Sequence, residues 1–145
     1  MKSKGQEPSP TGQFALACEQ MNEFARSLRG SSAFGMVRTG ADIRHYETGW
    51  RLEKWVEAEL DKDEGLWAAW WFEFGPREDG WIIESHLAVS PDVFFAGLED
   101  RFATSPQEIG EQLSVVVEDL KNALVKNQQF AEEVKNRRRT GPLSQ

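Results

Sequence analysis

A chain of 145 residues, 39% hydrophobic and 28% charged, amounts to one globular domain, which excludes a chain disordered throughout. Seventeen Lys and Arg against 24 Asp and Glu leave a net charge of −7, so phosphate backbones are repelled and no nucleic-acid partner is expected. The lone Cys18 excludes an intramolecular disulfide, and the longest apolar run, Leu66 to Phe72, is far short of the about 20 residues that span a membrane.

The opening MKSKGQEPSP has no apolar h-region, so the expectation is a soluble, cytoplasmic protein with a flexible leader over residues 1–10. A single domain is expected over 11–136. A helix is predicted over about 12–29, because Phe14, Ala17, Cys18, Met21, Phe24, Ala25 and Leu28 form one stripe at the helical period. Arg26 and Arg29 suit its last turn, and Gly30 suits its end.

The period then becomes two. Residues 33–38 and 42–48 read as short strands parted by Thr39-Gly40. Three stronger strands follow at about 50–60, 66–75 and 81–89, joined by Asp61–Gly65 and Pro76–Gly80. Both connections are short, polar and end in Gly, as hairpin loops do. Residues 91–104, broken by Gly97, read as a short helix or a packed loop. Ser105-Pro106-Gln107-Glu108 is a capping box, opening a helix predicted over 106–135 with Ile109, Leu113, Val116, Val117, Leu120 and Leu124 as its stripe. Residues 137–145 read as a disordered basic tail. The expected class is α+β: an N-terminal helix, an antiparallel meander of four or five strands, and a long C-terminal helix, with both helices on one sheet face.

The other sheet face is the informative one. Period two places Arg51, Glu53, Trp55, Glu57 and Glu59 there from one strand, Trp67, Ala69, Trp71 and Glu73 from the next, and Ile82, Glu84, His86 and Ala88 from the third. A 61–65 loop sets Trp55 opposite Trp71 and Glu53 opposite Glu73. A 76–79 loop sets Trp71 opposite Glu84 and Ala69 opposite His86. Aromatic anchors with a charged rim fit a protein interface, and an acidic rim fits a basic partner. The candidate partner-binding residues are therefore Trp55, Trp67, Trp71, Glu53, Glu57, Glu73, Glu84 and His86. The plainer reading makes the aromatic residues core, covered by 91–104 or by the leader.

Catalytic and metal signals are weak. Glu84 and His86 share a strand face, which permits acid–base work but equally a surface ion pair. No GxSxG, His-x-x-x-His, paired cysteine, calcium loop or phosphate loop occurs, so no metal and no cofactor are expected. Cys18 lies on the stripe of the first helix and reads as a core filler.

In size, charge and class the chain resembles two groups of small acidic bacterial proteins, toxin-neutralising immunity proteins and secretion chaperones. The chaperones usually interrupt their sheet with a middle helix, which this sequence lacks. The first expectation is a non-catalytic module whose acidic, Trp-rich face holds a basic protein, most specifically an immunity protein capping a toxin domain. The second is an enzyme or small-ligand domain with a pocket between the sheet and residues 91–104, lined by Trp81, Phe94 and Phe95 with Glu84 and His86. The third is a secretion-chaperone-like protein or a homodimer buried through this face.

Overall fold

In the computed structural model, residues 9–32, 34–47, 49–61, 65–90, 94–123 and 129 are described. Ser9 caps the first helix, α1 (Pro10–Arg29), by accepting a hydrogen bond from the Gly12 amide at 3.0 Å. Pro10 occupies the first turn, where its missing N–H costs nothing, so α1 starts two residues before the expected point. Its stripe buries Ala17, Met21, Phe24, Ala25 and Leu28.

Five strands follow as a meander: β1 (Val37–Tyr46), β2 (Gly49–Asp61), β3 (Leu66–Arg77), β4 (Gly80–Ser90) and β5 (Phe94–Gly97). All neighbouring pairs are antiparallel. A sixth short strand, β6 (Arg101–Ala103), pairs with the other end of β4. The second helix, α2 (Pro106–Asn122), closes the described fold. Ser105 Oγ accepts from the Glu108 amide at 3.2 Å, while the Glu108 carboxylate reaches past Ser105 to the Thr104 amide at 2.6 Å. The expected extension of α2 to 135, the leader residues 1–8 and the basic tail lie outside the described residues.

Both helices cover the same sheet face. Trp70, Phe72 and Phe74 of β3 are fully buried there, against Met21 and Phe24 of α1 and Ile109, Leu113 and Val117 of α2. Phe24 meets the Trp70 ring edge-on at 5.3 Å. Burying side chains of this size stabilises by about 1.5–3 kcal/mol each, which makes this layer the main source of stability.

Three expectations are corrected. Residues 33–38 and 42–48 are not two strands, because Val37–Tyr46 runs unbroken through Thr39-Gly40. Thr39 Oγ1 donates to the Trp55 carbonyl at 2.7 Å. Gly40 is there because the Trp55 ring covers it: a Cβ would sit 2.5 Å from a ring carbon. Residues 94–97 and 101–103 are strands, not helix or loop, and share the outer edge of β4. The hairpin between β3 and β4 is tighter than expected. Arg77 pairs with Gly80 across Glu78-Asp79, so Trp71 faces His86 and Ala69 faces Ala88. The left-hand φ of Gly80, +152°, makes the tight turn accessible.

Candidate functional site

Two residues per pleat step fix what stands on the open face. The measured pairings line its side chains up in rows across the sheet. One row runs Gly40, Trp55, Trp71, His86, Gly97 from β1 to β5. The next runs Asp42, Glu53, Glu73, Glu84 from β1 to β4. Beyond it, Arg44 stands opposite Arg51. On the far side of the aromatic row, Arg38 stands opposite Glu57, and Glu57 opposite Ala69.

The aromatic row is stacked at the β4 end and tied down at the β1 end. Trp71 stacks on His86 with ring centroids 5.2 Å apart and planes 24° apart. Trp55 lies over Gly40 and donates Nε1–H to Asp42 Oδ2 at 3.1 Å, which ties it to the carboxylate row. Trp55, Trp71 and His86 are all partly exposed. Of the sequence-derived candidates, Trp67 is the outlier. It lies opposite Glu59, two rows from Trp71, under the Arg38 guanidinium at 4.5 Å.

The carboxylate row places like charges directly opposite one another, an arrangement that destabilises a sheet. Two arginines relieve it unevenly: Arg44 reaches Glu53 at 3.2 Å and Arg51 reaches Glu84 at 3.7 Å, while Arg38 serves Glu57, outside the row, at 2.9 Å. Glu73, at the middle of the row, accepts from the Tyr46 hydroxyl at 3.1 Å. Glu53 is not the exposed rim group the sequence suggests: it is 5% exposed, and burial pushes its carboxyl above the ordinary range while Arg44 pulls it back. The rows enclose an open depression of ≈ 570 Å³ reaching from Arg38 to Glu73, and a second of ≈ 660 Å³ continues it past Tyr46 to His86.

Sequence reasoning missed the whole contribution of β1: Arg38, Asp42, Arg44 and Tyr46. The signal was there, since these residues alternate at period two, but reading Thr39-Gly40 as a break cut the pattern in half.

The pocket expected between the sheet and residues 91–104 cannot join Trp81 to Glu84 and His86, which stand on opposite sides of the sheet. Trp81 stacks on Phe74 at 5.4 Å on the helix side of the sheet, whereas Glu84 and His86 stand on the open side. A strand cannot bring adjacent-parity residues to one face. Glu84 is committed to Arg51. Cys18 is half-buried, and burial pushes its thiol pKa up, away from nucleophilic thiolate. Among the described residues no three His, Cys, Asp or Glu side chains are grouped so as to hold a metal ion. No described helix is long and apolar enough to cross a membrane.

No protein-family model, no curated protein and no solved structure matches the chain.

Proposed function

We propose that the protein is a non-catalytic binding module that holds a basic protein partner on the open face of its sheet. The observation that carries this reading is the adjacency of two rows: Trp55–Trp71–His86 beside Asp42–Glu53–Glu73–Glu84. A lysine or arginine laid between them meets an aromatic face on one side and an under-neutralised carboxylate, Glu73, on the other. Both contacts favour a cation. Arg38, Arg44, Arg51 and Arg77 do not reverse the sign of the face, since six carboxylates (Asp42, Glu53, Glu57, Glu59, Glu73, Glu84) stand against four arginines.

The most specific form of this reading is a toxin-neutralising protein capping a basic toxin domain in the cytoplasm. It is supported by the net charge of −7, the small single-domain size and the lack of a recognisable catalytic motif.

The test is affinity capture from extract of the native cells at low and at high salt, with the wild-type protein and a Trp71→Ala/Glu73→Gln double variant. One stoichiometric basic protein is expected, held at low salt, released at high salt and not held by the double variant. A captured protein that the double variant holds equally well removes the site from this face. If the captured partner arrests growth when expressed alone and not when co-expressed with this protein, the neutralising form of the reading stands.

A further inference from the structure

The two edges of the sheet are built differently. The outer edge of β4 is occupied twice, by β5 and by β6. The opposite edge, β1, has ten residues and β2 as its one sheet neighbour among the described residues. It has no proline, no lysine and no register break, and its charges are of both signs, Arg38 and Arg44 beside Asp42, so they can pair with a like strand as well as guard the edge. From Ala41 to Tyr46 every residue is exposed, and Ile43 is 62% exposed.

The polarity of the edge can be read from its first residue. The Val37 carbonyl points away from β2 and accepts from Arg29 Nη2 at 3.2 Å. Backbone groups alternate along a strand, so Thr39, Ala41, Ile43 and His45 also present N–H and C=O outward. Arg29 blocks the first of these positions, and no described strand pairs with the rest.

We propose that β1 is the contact edge of a two-fold dimer, pairing antiparallel with β1 of a second copy and centred on Ile43. The argument is charge complementarity combined with register. A centre at Ile43 sets Asp42 of each copy opposite Arg44 of the other, twice by symmetry. Such pairs lie in the close, non-hydrogen-bonded positions of the ladder, where side chains approach best. The outward backbone of Ile43 meets its own copy and exchanges two hydrogen bonds with it, and the two exposed isoleucines cover each other on the helix side. The neighbouring registers fail one by one. A centre at Ala41 opposes Arg38 and Arg44, a centre at Asp42 opposes two aspartates, and a centre at Arg44 opposes two arginines. A centre at Gly40 needs the Val37 carbonyl that Arg29 already holds.

Arg44 and Asp42 keep capacity for this second pairing. Among the described residues the guanidinium, with five donors, has Glu53 as its ion-pair partner, and the Asp42 carboxylate accepts one bond, from Trp55. The inference does not rest on the partner-binding reading: it is argued from the edge backbone and from the Asp42 and Arg44 pairs at the β1 margin of the open face, not from Trp71 or Glu73.

The test is light scattering coupled to gel filtration over a range of concentrations, with Ile43→Lys and two cysteine variants. The wild type is expected to run as a dimer. I43K should raise the dimer dissociation constant by about tenfold or more while leaving the circular dichroism spectrum unchanged, because the side chain is exposed. Ile43→Cys should form a disulfide dimer on mild oxidation, since facing residues of a hydrogen-bonded pair lie about 5.5 Å apart, within disulfide range. Ala41→Cys should not, because the two copies of position 41 would be about 14 Å apart along the strands. A wild type that stays monomeric at the highest concentration overturns the proposal. So does a dimer that I43K leaves intact, or one in which Ala41→Cys cross-links in preference to Ile43→Cys.

Discussion

Lys54 Nζ donates to Asn22 Oδ1 at 2.6 Å in the layer between the sheet and α1, with Lys54 only 5% exposed. The lysine stands on the helix side of β2, between Leu52 and Val56, where the pattern otherwise calls for an apolar residue. Burial pushes its ammonium pKa down, as expected for a cation taken from water, with Cys18 and Glu19 pulling it partly back. Removing one partner of a buried polar pair costs more than replacing the charge by an apolar group of similar shape. Asn22→Ala should therefore cost about 2–3 kcal/mol, and Lys54→Met, which keeps the stem, less than about 1.5 kcal/mol. Urea midpoints should fall in the order wild type or K54M first and N22A last; the reverse order would mean that the amide oxygen is not what holds the ammonium.

Glu53 gives a pH signature. Its carboxyl is pushed up chiefly by burial, with Glu73 and Asp42 adding to the effect and Arg44 opposing it. Because the folded value lies above the unfolded one, the folded chain binds more protons in the interval between them. Stability from this group is then fully present below the ordinary carboxylate pKa of about 4.3 and is lost as pH rises through the folded value. Compared with Glu53→Gln, the wild type should lose stability across the weakly acidic range and reach a plateau near neutral pH. Unfolding free energies of both proteins from pH 4 upward check this, and a difference that grows with pH in favour of the wild type contradicts it.

The contact of Gly40 with the Trp55 ring predicts a local, legible defect. In Gly40→Ala the new methyl would fall 2.5 Å from the indole, so the ring must swing away and surrender its bond to Asp42. Trp55 is partly exposed and can move, so the stability cost should stay below about 1 kcal/mol. The indole N–H resonance of Trp55 should shift strongly while that of buried Trp70 stays put. An unmoved Trp55 signal would show that the glycine is not required by the ring.

Much of this architecture was readable from the residues because strong periodicity and strong burial coincide. Leu66, Ala68, Trp70, Phe72 and Phe74 could face only one way, and the register Trp55–Trp71 and Glu53–Glu73 followed from the loop that joins their strands. β1 was harder. Val37 begins it at the core, but from Ala41 onward every residue is exposed, so its alternation carries little contrast in hydrophobicity. The strand is held by its ladder to β2, which a single sequence does not display. The short β5 and β6 were hidden for the same reason: four and three residues are too few to show a period. Three of the site's charged groups, Arg38, Asp42 and Arg44, came from β1, and Glu53 was read as rim because burial by Arg44 is a tertiary effect.

Trp71 and Glu73 should separate kinetically once the partner is in hand. Glu73 lies in the middle of the carboxylate row, with Glu53 and Glu84 directly opposite on either side, so it contributes to the field that a cationic surface meets at a distance. Trp71 offers apolar area and a ring face, which act only after contact. Charges at an interface act mainly on the association rate and its salt dependence, whereas buried aromatic anchors act on dissociation. Glu73→Gln should therefore slow association at low salt and flatten its dependence on ionic strength, with dissociation little changed. Trp71→Ala should leave association near its wild-type rate and speed dissociation by about 10–100-fold, the range of a 1.4–2.8 kcal/mol hot spot. Surface plasmon resonance at several salt concentrations distinguishes the two. Equal effects of both substitutions on the dissociation rate alone would mean that Glu73 makes a desolvated contact and does not steer the approach.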